Sequence, residues 1–554
     1  MSNKRLISFL TIFVVVGVVF IYAKQGTFLS SDGPDYGVKE SEKIKTEAGY
    51  GVSASHPLAV EVGMDVLEKG GNAADAAVAV SYMLGVVEPY GSGIGGGGVA
   101  LIDEGENETP LVYQYREEAP KSGTTPETFP ETFAVPGFVK GMEKINSDLG
   151  TLPMSELIEP SIQTAEEGFP INNYLAKRFE KGSSRMNVPE MPDYFPDGHL
   201  LESHDELVQP ELASTLKSIQ KDGSKAFYEG EIANDMVEHI DEIELDDLTN
   251  FEVEINEPVY GEFAGYEVYS APPPLAGVTL IQMLQMAEAS NIESLDDPVD
   301  YIHLFGEITK RAYHDRLTNI GDPNHELSLD SIDLDTDKTT SENYAKQLID
   351  NFNEDKISEY DINDSISDEE DHDNTTHFVI IDENDMMVSA THTLGNFFGS
   401  GDFVAGFFLN NQIDNYSLSP ASPNYLESEK VSRSFTSPSI LKNEEKTIGI
   451  GSPGGKRIPA VMSDVLTRYL MLGDEWEDAI DDSRFYVEND NIYTEAELDK
   501  DVQAQLRAKK YEIYNIREAD FYGGIQALVH DKKSQELFGA ADHRRPGSWQ
   551  VQEK

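Results

Sequence analysis

The apolar positions of the first 220 residues predict helices. An apolar stripe at helical spacing begins at Pro57, and the Ala-rich segment from Ala73 to about Val87 is apolar on almost every side. The first pattern predicts a helix with one buried face, and the second predicts a helix buried all round. A further helical pattern covers Glu211–Gln220.

Short apolar runs bounded by turn residues predict buried strands. Val99–Ile102 is one such run, and Phe378–Ile381 is another, joined by a turn to a partner strand over Met386–Thr393. The run Thr447–Ile450 leads into a glycine-rich turn and a helix from about Ile458. Early helices together with paired strands in each half indicate a layered α+β domain.

The composition narrows the possible functions. The chain has 101 Asp and Glu against 42 Lys and Arg, a net charge of −59. Such a surface repels nucleic acid, keeps the protein dispersed and is typical of a salt-rich habitat. There is no cysteine, which excludes disulfides, thiolate metal sites and a cysteine nucleophile. The 12 histidines are scattered, so we predict neither a metal site nor a cofactor.

The amino terminus predicts export. Lys4 and Arg5 precede an uncharged run from Leu6 to Ala23. This pattern is that of a signal peptide or a single membrane anchor over residues 1–24, with the remainder of the chain outside the cytoplasm. The polar residues 25–47 then form a tether, so we expect the protein to be membrane-anchored or secreted.

Two local features need a choice between interpretations. The run Gly93–Gly98 contains G-x-G-x-x-G, but a helix precedes it and a strand follows it, so a tight turn is preferred to a dinucleotide site. Ten of the 21 residues in 354–374 are acidic, which predicts a flexible, solvated segment. That segment ends at Thr375, where a core strand begins; taken alone, this is simply a strand start after a linker.

Separated blocks of the sequence resemble γ-glutamyltranspeptidases, in the family's order and spacing, over roughly residues 48 to 545. The blocks are Ser55–Ala59, Gly70–Ala77, Val87–Pro89 with Gly93–Gly98, Tyr115–Pro120, Val135–Gly137, Thr375–His377, Leu409–Gln412 and Gly451–Gly455.

The resemblance implies a four-layer αββα sandwich of the N-terminal-nucleophile hydrolase type, made as an inactive precursor. The precursor would cut itself between Asn374 and Thr375 into a large subunit, residues 48–374, and a small subunit, residues 375–554. The new α-amino group, with an ordinary pKa of roughly 7.7–8.0, suits a general base near neutrality. Thr375 would then supply both the nucleophile and the base.

The resemblance also assigns roles around Thr375. Thr393 would hydrogen-bond its amine, and Gly454 and Gly455 would offer backbone N–H groups to the oxyanion. Arg116 would grip the substrate α-carboxylate, although an ion pair with a neighbouring glutamate is the alternative for this residue. The expected substrate-binding residues are Arg116, Gln412, Asn415 and Ser434.

Several positions depart from the family pattern. Asn415 stands where typical members have an acid that binds the substrate α-amino group, and Ser434-Phe435 replaces a serine pair. Gly395 replaces an asparagine, and residues 416–433 form only a short segment where many relatives have a longer lid. Without the acid, the site binds a free α-ammonium more weakly, and without the longer lid its cleft is open. Both features favour a substrate that is an internal residue of a γ-linked polymer. In Thr376–Asp382, Phe397–Gly399, Ala405–Gln412 and Ile448–Gly451 the sequence resembles the capsule depolymerase branch of the family, which cleaves poly-γ-glutamate and transfers it to a cell-wall amine.

Three functions remain open at this point. The first is a poly-γ-glutamate depolymerase and transpeptidase that uses water or an amine acceptor. The second is a general γ-glutamyltranspeptidase acting on glutathione-like molecules, and the third is an inactive, uncleaved binding protein. Basic residues near the motifs suggest a track for polymer carboxylates, with ion pairing to nearby acids as the alternative. These residues are Arg433, Lys456, Arg457, Arg544 and Arg545.

Overall fold

A computed structural model describes most of the chain. The described ranges are 42–46, 48–105, 108–121, 132–240, 243–295, 297–325, 335–360 and 374–554. Within them, no helix combines the length and apolarity needed to cross a bilayer. The predicted signal or anchor segment, residues 1–24, lies outside the described residues.

Most strands of the described chain belong to two seven-stranded sheets. The first sheet has the order β1-β20-β19-β15-β14-β9-β8, and the second has the order β21-β2-β10-β11-β3-β4-β7. The strands are β1 Ile44–Lys45, β2 Gly49–Ala54, β3 Gly97–Asp103, β4 Leu111–Tyr115, β5 Phe169–Pro170, β6 Glu206–Leu207, β7 Glu254–Asn256, β8 Val259–Phe263, β9 Tyr266–Ser270, β10 Asn374–Ile381, β11 Met387–Gly395, β12 Phe403–Val404, β13 Phe407–Phe408, β14 Ser439–Lys442, β15 Lys446–Gly451, β16 Phe485–Glu488, β17 Asn491–Thr494, β18 Glu512–Asn515, β19 Gln526–Asp531, β20 Glu536–Ala541 and β21 Ser548–Glu553.

Helices cover the outer faces of both sheets. The α-helices are α1 Pro57–Glu68, α2 Ala73–Val87, α3 Phe138–Leu149, α4 Met154–Glu167, α5 Asn173–Gly182, α6 Pro210–Asp222, α7 Ser224–Tyr228, α8 Glu231–His239, α9 Leu245–Asn250, α10 Gly277–Ala289, α11 Pro298–Asn319, α12 Thr336–Thr339, α13 Glu342–Ile349, α14 Ile458–Thr467, α15 Trp476–Asp481 and α16 Lys500–Ala508.

Successive side chains of a strand point to opposite faces of its sheet, so each sheet packs against the other sheet on one face and against helices on the other. In β3, Val99 and Leu101 face the other sheet, whereas Ala100 and Ile102 face the helices. Because both faces are buried, these strands read as continuous apolar runs. One helical layer, including α1 to α4, packs on the second sheet, and α10 and α14 pack on the first. The result is a helix–sheet–sheet–helix arrangement around a shared sheet–sheet core.

The structure confirms the elements predicted from periodicity. The Ala-rich segment forms α2, which begins at Asn72 with a capping box, and Glu211–Gln220 lies inside α6. The predicted strand pair around residue 384 is β10 with β11. The glycine run Gly93–Gly98 is a turn that leads into β3.

Parts of two segments predicted to be flexible have fixed positions. Ile44 and Lys45, placed in the tether by the sequence, pair with β20 and extend the first sheet. The start of the acidic segment is also fixed, because Ser358 donates its backbone N–H to the buried Glu307 carboxylate, 2.9 Å away. A carboxylate inside the helical layer therefore holds residues that composition alone marks as loose. Residues 361–373 of that segment lie outside the described residues.

Candidate active site

Thr375 lies buried at the start of β10, between the two sheets and beside the strand β11. Its backbone pairs with Thr393, and the register shifts between Asn374 and Thr375. The Thr393 hydroxyl donates to the carbonyl oxygen of Asn374 at 2.9 Å and accepts from the Gly395 N–H at 2.9 Å. Thr393 thus polarises the carbonyl of the peptide bond between Asn374 and Thr375.

A pocket opens in front of Thr375. Its walls bring together residues from distant parts of the sequence, including most of those predicted for the site. They are Thr375, Thr393, Gly395, Gln412, Asn415, Arg433, Ser434, Phe435, Thr436, Gly455 and Ile458.

Arg116 lies directly behind this pocket with its side chain fully buried. Its Nε pairs with Glu117 at 3.1 Å, and one terminal nitrogen donates to Gln412 Oε1 at 2.8 Å. The same Gln412 oxygen accepts from Asn415 at 2.7 Å. The other terminal nitrogen of Arg116 has no hydrogen-bond partner in the described chain. A buried guanidinium with an unused donor is suited to a carboxylate, so the ion pair with Glu117 and a binding role are compatible.

The glycine pair lies at the turn between β15 and α14. Gly454 has φ 133° and Gly455 has φ 56°, values that side chains with a Cβ rarely adopt. Gly455 starts a 3₁₀ turn that leads into α14, where the first amide groups have no acceptor within the helix. Gly455 lines the pocket of Thr375, and the role of the two amides as oxyanion donors stays a prediction.

The histidine of the Thr-Thr-His motif belongs to the core. His377 is buried, its Nδ1 lies 2.8 Å from the Thr391 hydroxyl, and burial lowers its pKa to about 3. The imidazole is therefore neutral at physiological pH. A Cβ on Gly451 would lie 2.2 Å from this ring, so the glycine is required for close packing.

The sequence did not reveal a buried chain of hydrogen bonds beside Thr375. Glu88 accepts from the Tyr90 hydroxyl at 2.6 Å and from the Ser55 hydroxyl at 2.7 Å, and Ser55 also contacts the Thr376 hydroxyl. Since the single Ser55 proton goes to Glu88, Thr376 must donate to Ser55. The three residues fix the side chain next to Thr375. In the sequence, the sign of this chain of hydrogen bonds is Glu88, a single glutamate that stands between apolar residues.

The basic residues proposed as a polymer track have mostly structural contacts. Arg433 donates to main-chain carbonyls at the end of α11, among them those of Leu317 and Ile320, where a cation offsets the helix dipole. Arg544 is 4% exposed and pairs with Asp542 and Glu495. Ion pairing and helix capping, rather than an exposed track, account for the positions of Arg433 and Arg544.

The other three basic residues differ from one another. Arg457 is buried and stacks over an aromatic ring. Arg545 is also buried and donates to the carbonyl oxygen of Thr375 at 2.9 Å, so it fixes the backbone of Thr375. Lys456 is partly exposed, and we therefore retain only this residue for contact with substrate.

The positions that depart from the family pattern have local physical reasons. Gly395 has φ 90°, and a Cβ there would lie 2.1 Å from the Asn411 side-chain oxygen, so a larger residue does not fit this turn. The ring of Phe435 packs against Tyr313, and the Arg316 guanidinium lies 4.5 Å from its centre. Phe435 thus forms a rigid aromatic wall where a second serine would leave space.

Comparison with known proteins identifies the family. A profile described as γ-glutamyltranspeptidase matches residues 59–551, which is most of the chain. The chain belongs to the γ-glutamyltranspeptidase family. It is therefore an enzyme that hydrolyses or transfers γ-glutamyl groups.

Two relatives and one solved structure illustrate the similarity. The capsule biosynthesis protein CapD proenzyme of Bacillus anthracis is 42% identical over 518 residues, covering 92% of this chain and 93% of that protein. The glutathione hydrolase proenzyme of Bacillus subtilis strain 168 is 30% identical over 588 residues, covering 99% and 98%. The crystal structure of cephalosporin acylase from Bacillus halodurans has a TM-score of 0.82 at 23% identity, covers 96% of this chain and 99% of that one, and shows the shared fold.

Proposed function

We propose that this γ-glutamyltransferase is made as a precursor that cuts itself between Asn374 and Thr375, and that Thr375 then carries the γ-glutamyl group as an ester. The observation that carries the proposal is the Thr393 hydroxyl on the Asn374 carbonyl oxygen, with Thr375 next in the chain. Attack by the Thr375 hydroxyl on that carbonyl gives an ester, and water releases the new amino terminus. The names of the relatives, both proenzymes, agree with this proposal.

In the mature enzyme the free amine would take the proton from the Thr375 hydroxyl as it attacks the substrate. Arg116 would hold the substrate α-carboxylate through its unused nitrogen, with Gln412, Asn415 and Ser434 around it. The Gly454 and Gly455 amides would bind the oxyanion. Water or an amine then accepts the glutamyl group. The reaction is hydrolysis when water accepts it and transfer when an amine does.

Replacing Thr393 by valine should slow self-cleavage about 100-fold, because one donor to the developing oxyanion is lost. The half-time for conversion of the precursor into two fragments, followed on denaturing gels, measures this effect. Thr447→Val, at a buried strand threonine of the other sheet, is the matched control and should leave the half-time unchanged. Unchanged processing in Thr393→Val would exclude the role given to its hydroxyl.

We propose poly-γ-glutamate as the donor, with glutathione-like molecules as the second candidate. Asn415 cannot offer a negative charge to a free α-ammonium, whereas an internal polymer residue has an amide at that atom. The name of the CapD relative, a capsule biosynthesis protein, supports a polymer, and that of the glutathione hydrolase relative supports the second candidate. We also propose that residues 1–24 export the enzyme, which places it where an extracellular polymer is found.

Asn415→Asp should move the specificity toward small donors. The new carboxylate can pair with a free α-ammonium, and a charged hydrogen bond of this kind changes affinity about tenfold. The ratio of kcat/KM for glutathione to that for poly-γ-glutamate is the measurement. Asn443→Asp is the control, since Asn443 accepts two turn amides through an oxygen that aspartate also has. A wild-type enzyme that cleaves glutathione but no polymer would favour the second candidate.

Salt should accelerate cleavage of the polymer. A protein of net charge −59 repels a polyanion, and the screening length falls from about 10 Å at 0.1 M to about 3 Å at 1 M ionic strength. We expect kcat/KM for poly-γ-glutamate to rise about tenfold over this range, with less than about a twofold change for a small γ-glutamyl anilide. A polymer rate that falls with salt would instead indicate that local cations dominate the encounter.

A further inference from the structure

Residues 429–433 form a short strap between the active-site pocket and the segment around Arg116. Ser432 in the strap accepts a hydrogen bond from the Arg116 guanidinium at 3.4 Å. The last residue of the strap, Arg433, and the three residues that follow it line the pocket of Thr375. A shift of the strap would therefore move both a partner of Arg116 and one wall of the pocket.

Backbone hydrogen bonds hold the strap beside Glu118. The Ala119 N–H donates to the Lys430 carbonyl at 2.9 Å, and the Glu429 N–H donates to the Ala119 carbonyl at 2.8 Å. Glu118 itself pairs with Val431 in an isolated antiparallel bridge. Glu118 thus stands where the strap joins the rest of the fold, and we call this place the strap junction.

The loop after α11 supplies an acid to the strap junction. Asp322 is 3% exposed, and its Oδ2 accepts the Val431 N–H of the strap at 2.8 Å. Its other oxygen accepts the Asn324 N–H at 2.9 Å, and the Asn324 side chain donates to Glu254 on β7 at 2.7 Å. Hydrogen bonds therefore fix the positions of both the Asp322 and the Glu254 carboxylates.

The carboxyl group of Glu118 lies among these acids. Burial and the negative charges around it raise its pKa to about 8. The acids come from β7, the loop after α11 and the strap, and they are Glu254, Asp322 and Glu429. Lys140 on α3 opposes them, but its ammonium group donates to two main-chain carbonyl oxygens, at 2.6 and 2.9 Å. Glu118 is therefore uncharged near neutrality and becomes negatively charged in alkaline solution.

Other ionisable groups around the strap junction are already paired or stay uncharged. They are the ion pairs Lys121–Glu429 and Arg116–Glu117, His325 beside Asp322, and the phenols of Tyr228 and Tyr416. Burial raises the pKa of both phenols well above its ordinary value. The change from neutral to alkaline solution thus adds the charge of Glu118 to a junction that is already acidic.

We propose that Glu118 is a positioning residue for the γ-glutamyl donor, and that its ionisation loosens the strap and weakens donor binding in alkaline solution. This inference rests on the proposed role of Arg116 in holding the substrate α-carboxylate. A charged Glu118 repels the carboxylate of Asp322, which accepts the Val431 N–H of the strap. The strap then holds Ser432 and the pocket wall less firmly, so KM for the donor rises. The value of kcat changes little, because the glutamyl group is by then covalently bound.

The test measures kcat/KM for a γ-glutamyl anilide from pH 6.5 to 9.5, at constant ionic strength, in the wild type and in Glu118→Gln. The two enzymes should agree at pH 6.5, where both side chains are uncharged. At pH 9.5 the variant should be about tenfold higher, through a lower KM, with the change centred near pH 8. Ionisation of the donor and of the Thr375 amine cancels in the ratio of the two enzymes. Glu444→Gln, on the exposed turn between β14 and β15, is the matched control and should equal the wild type at every pH.

Glu429→Gln is a second variant, which keeps the carboxyl group of Glu118. The Glu429 side chain is 56% exposed, so the fold tolerates the substitution. Removal of one negative neighbour lowers the pKa of Glu118, so the alkaline loss of kcat/KM should begin about half a pH unit lower than in the wild type. The double variant Glu118→Gln/Glu429→Gln is its reference. A loss at an unchanged pH would show that another group causes it, and would overturn the proposal.

Thermal unfolding tests the ionisation without any substrate. Because the pKa of Glu118 is raised in the folded protein, the wild type loses stability as the pH rises from the ordinary value of 4.5 to about 8, with no further loss above it. The Tm of Glu118→Gln relative to that of the wild type should therefore grow by about 3 °C between pH 5.5 and 8.5.

A kcat/KM ratio that does not change with pH would overturn the proposal, whether or not the Tm difference grows. A different result separates this inference from the proposed function. If Glu118→Gln removes the alkaline loss while Arg116→Lys keeps the donor KM of the wild type, the role of Arg116 is rejected and the effect of Glu118 on the pocket is retained.

Discussion

Replacing Thr375 by alanine is expected to leave a chain that is not cut between residues 374 and 375 and that neither hydrolyses nor transfers γ-glutamyl groups. The substitution removes the hydroxyl that attacks the Asn374 carbonyl, so no amino terminus forms to act as the base. Both the nucleophile and the base are lost together, and the rate should fall by at least about 10⁴-fold. Gel analysis and release of a γ-glutamyl anilide measure the two effects.

Thr375→Ser is the matched variant for this prediction. Serine keeps the hydroxyl and loses only a methyl group, so processing should continue at a reduced rate and the product should be active. Full activity in Thr375→Ala, with or without cleavage, would show that another residue forms the acyl-enzyme.

Arg116→Lys should lower kcat/KM for γ-glutamyl donors by about 100-fold or more. Lysine cannot hold Glu117 and Gln412 while offering a further donor to a carboxylate, and a buried pair that loses its geometry is strongly weakened. Self-cleavage should continue, because the contacts of Arg116 include neither Thr375 nor Asn374. Steady-state kinetics on the fully processed variant measure the change.

Arg517→Lys controls for the substitution itself, since Arg517 is exposed and its Nε donates to the Asn515 side-chain oxygen at 3.1 Å. Its kinetics should equal those of the wild type. An Arg116→Lys enzyme with an unchanged KM for the donor would show that the substrate α-carboxylate is held elsewhere.

Local patterns were sufficient to predict much of the fold. Helix α2 is apolar on almost every side because it lies between α1 and the second sheet, and the Phe378–Ile381 part of β10 is apolar because both of its faces are buried. The Thr375 junction was also evident, because a core strand begins directly after an acidic segment. These patterns involve residues that are neighbours along the chain, so they can be recognised in the sequence alone.

Long-range contacts could not be predicted in this way. Arg433 and Arg544 stand beside motif residues in the sequence, yet the fold turns both inward to carbonyls or acids. The bonds among Ser55, Glu88 and Thr376 join segments up to 321 residues apart. Neither charge nor spacing reveals such partners, because they depend on how the two sheets and their helices pack.

The amino-terminal sequence of the small fragment of the purified enzyme tests the central claim most directly. Self-cleavage by Thr375 predicts a fragment that begins Thr375-Thr376-His377 and ends with the chain, with a mass to match. An active enzyme that remains one continuous polypeptide, or a fragment that begins at another residue, would contradict it.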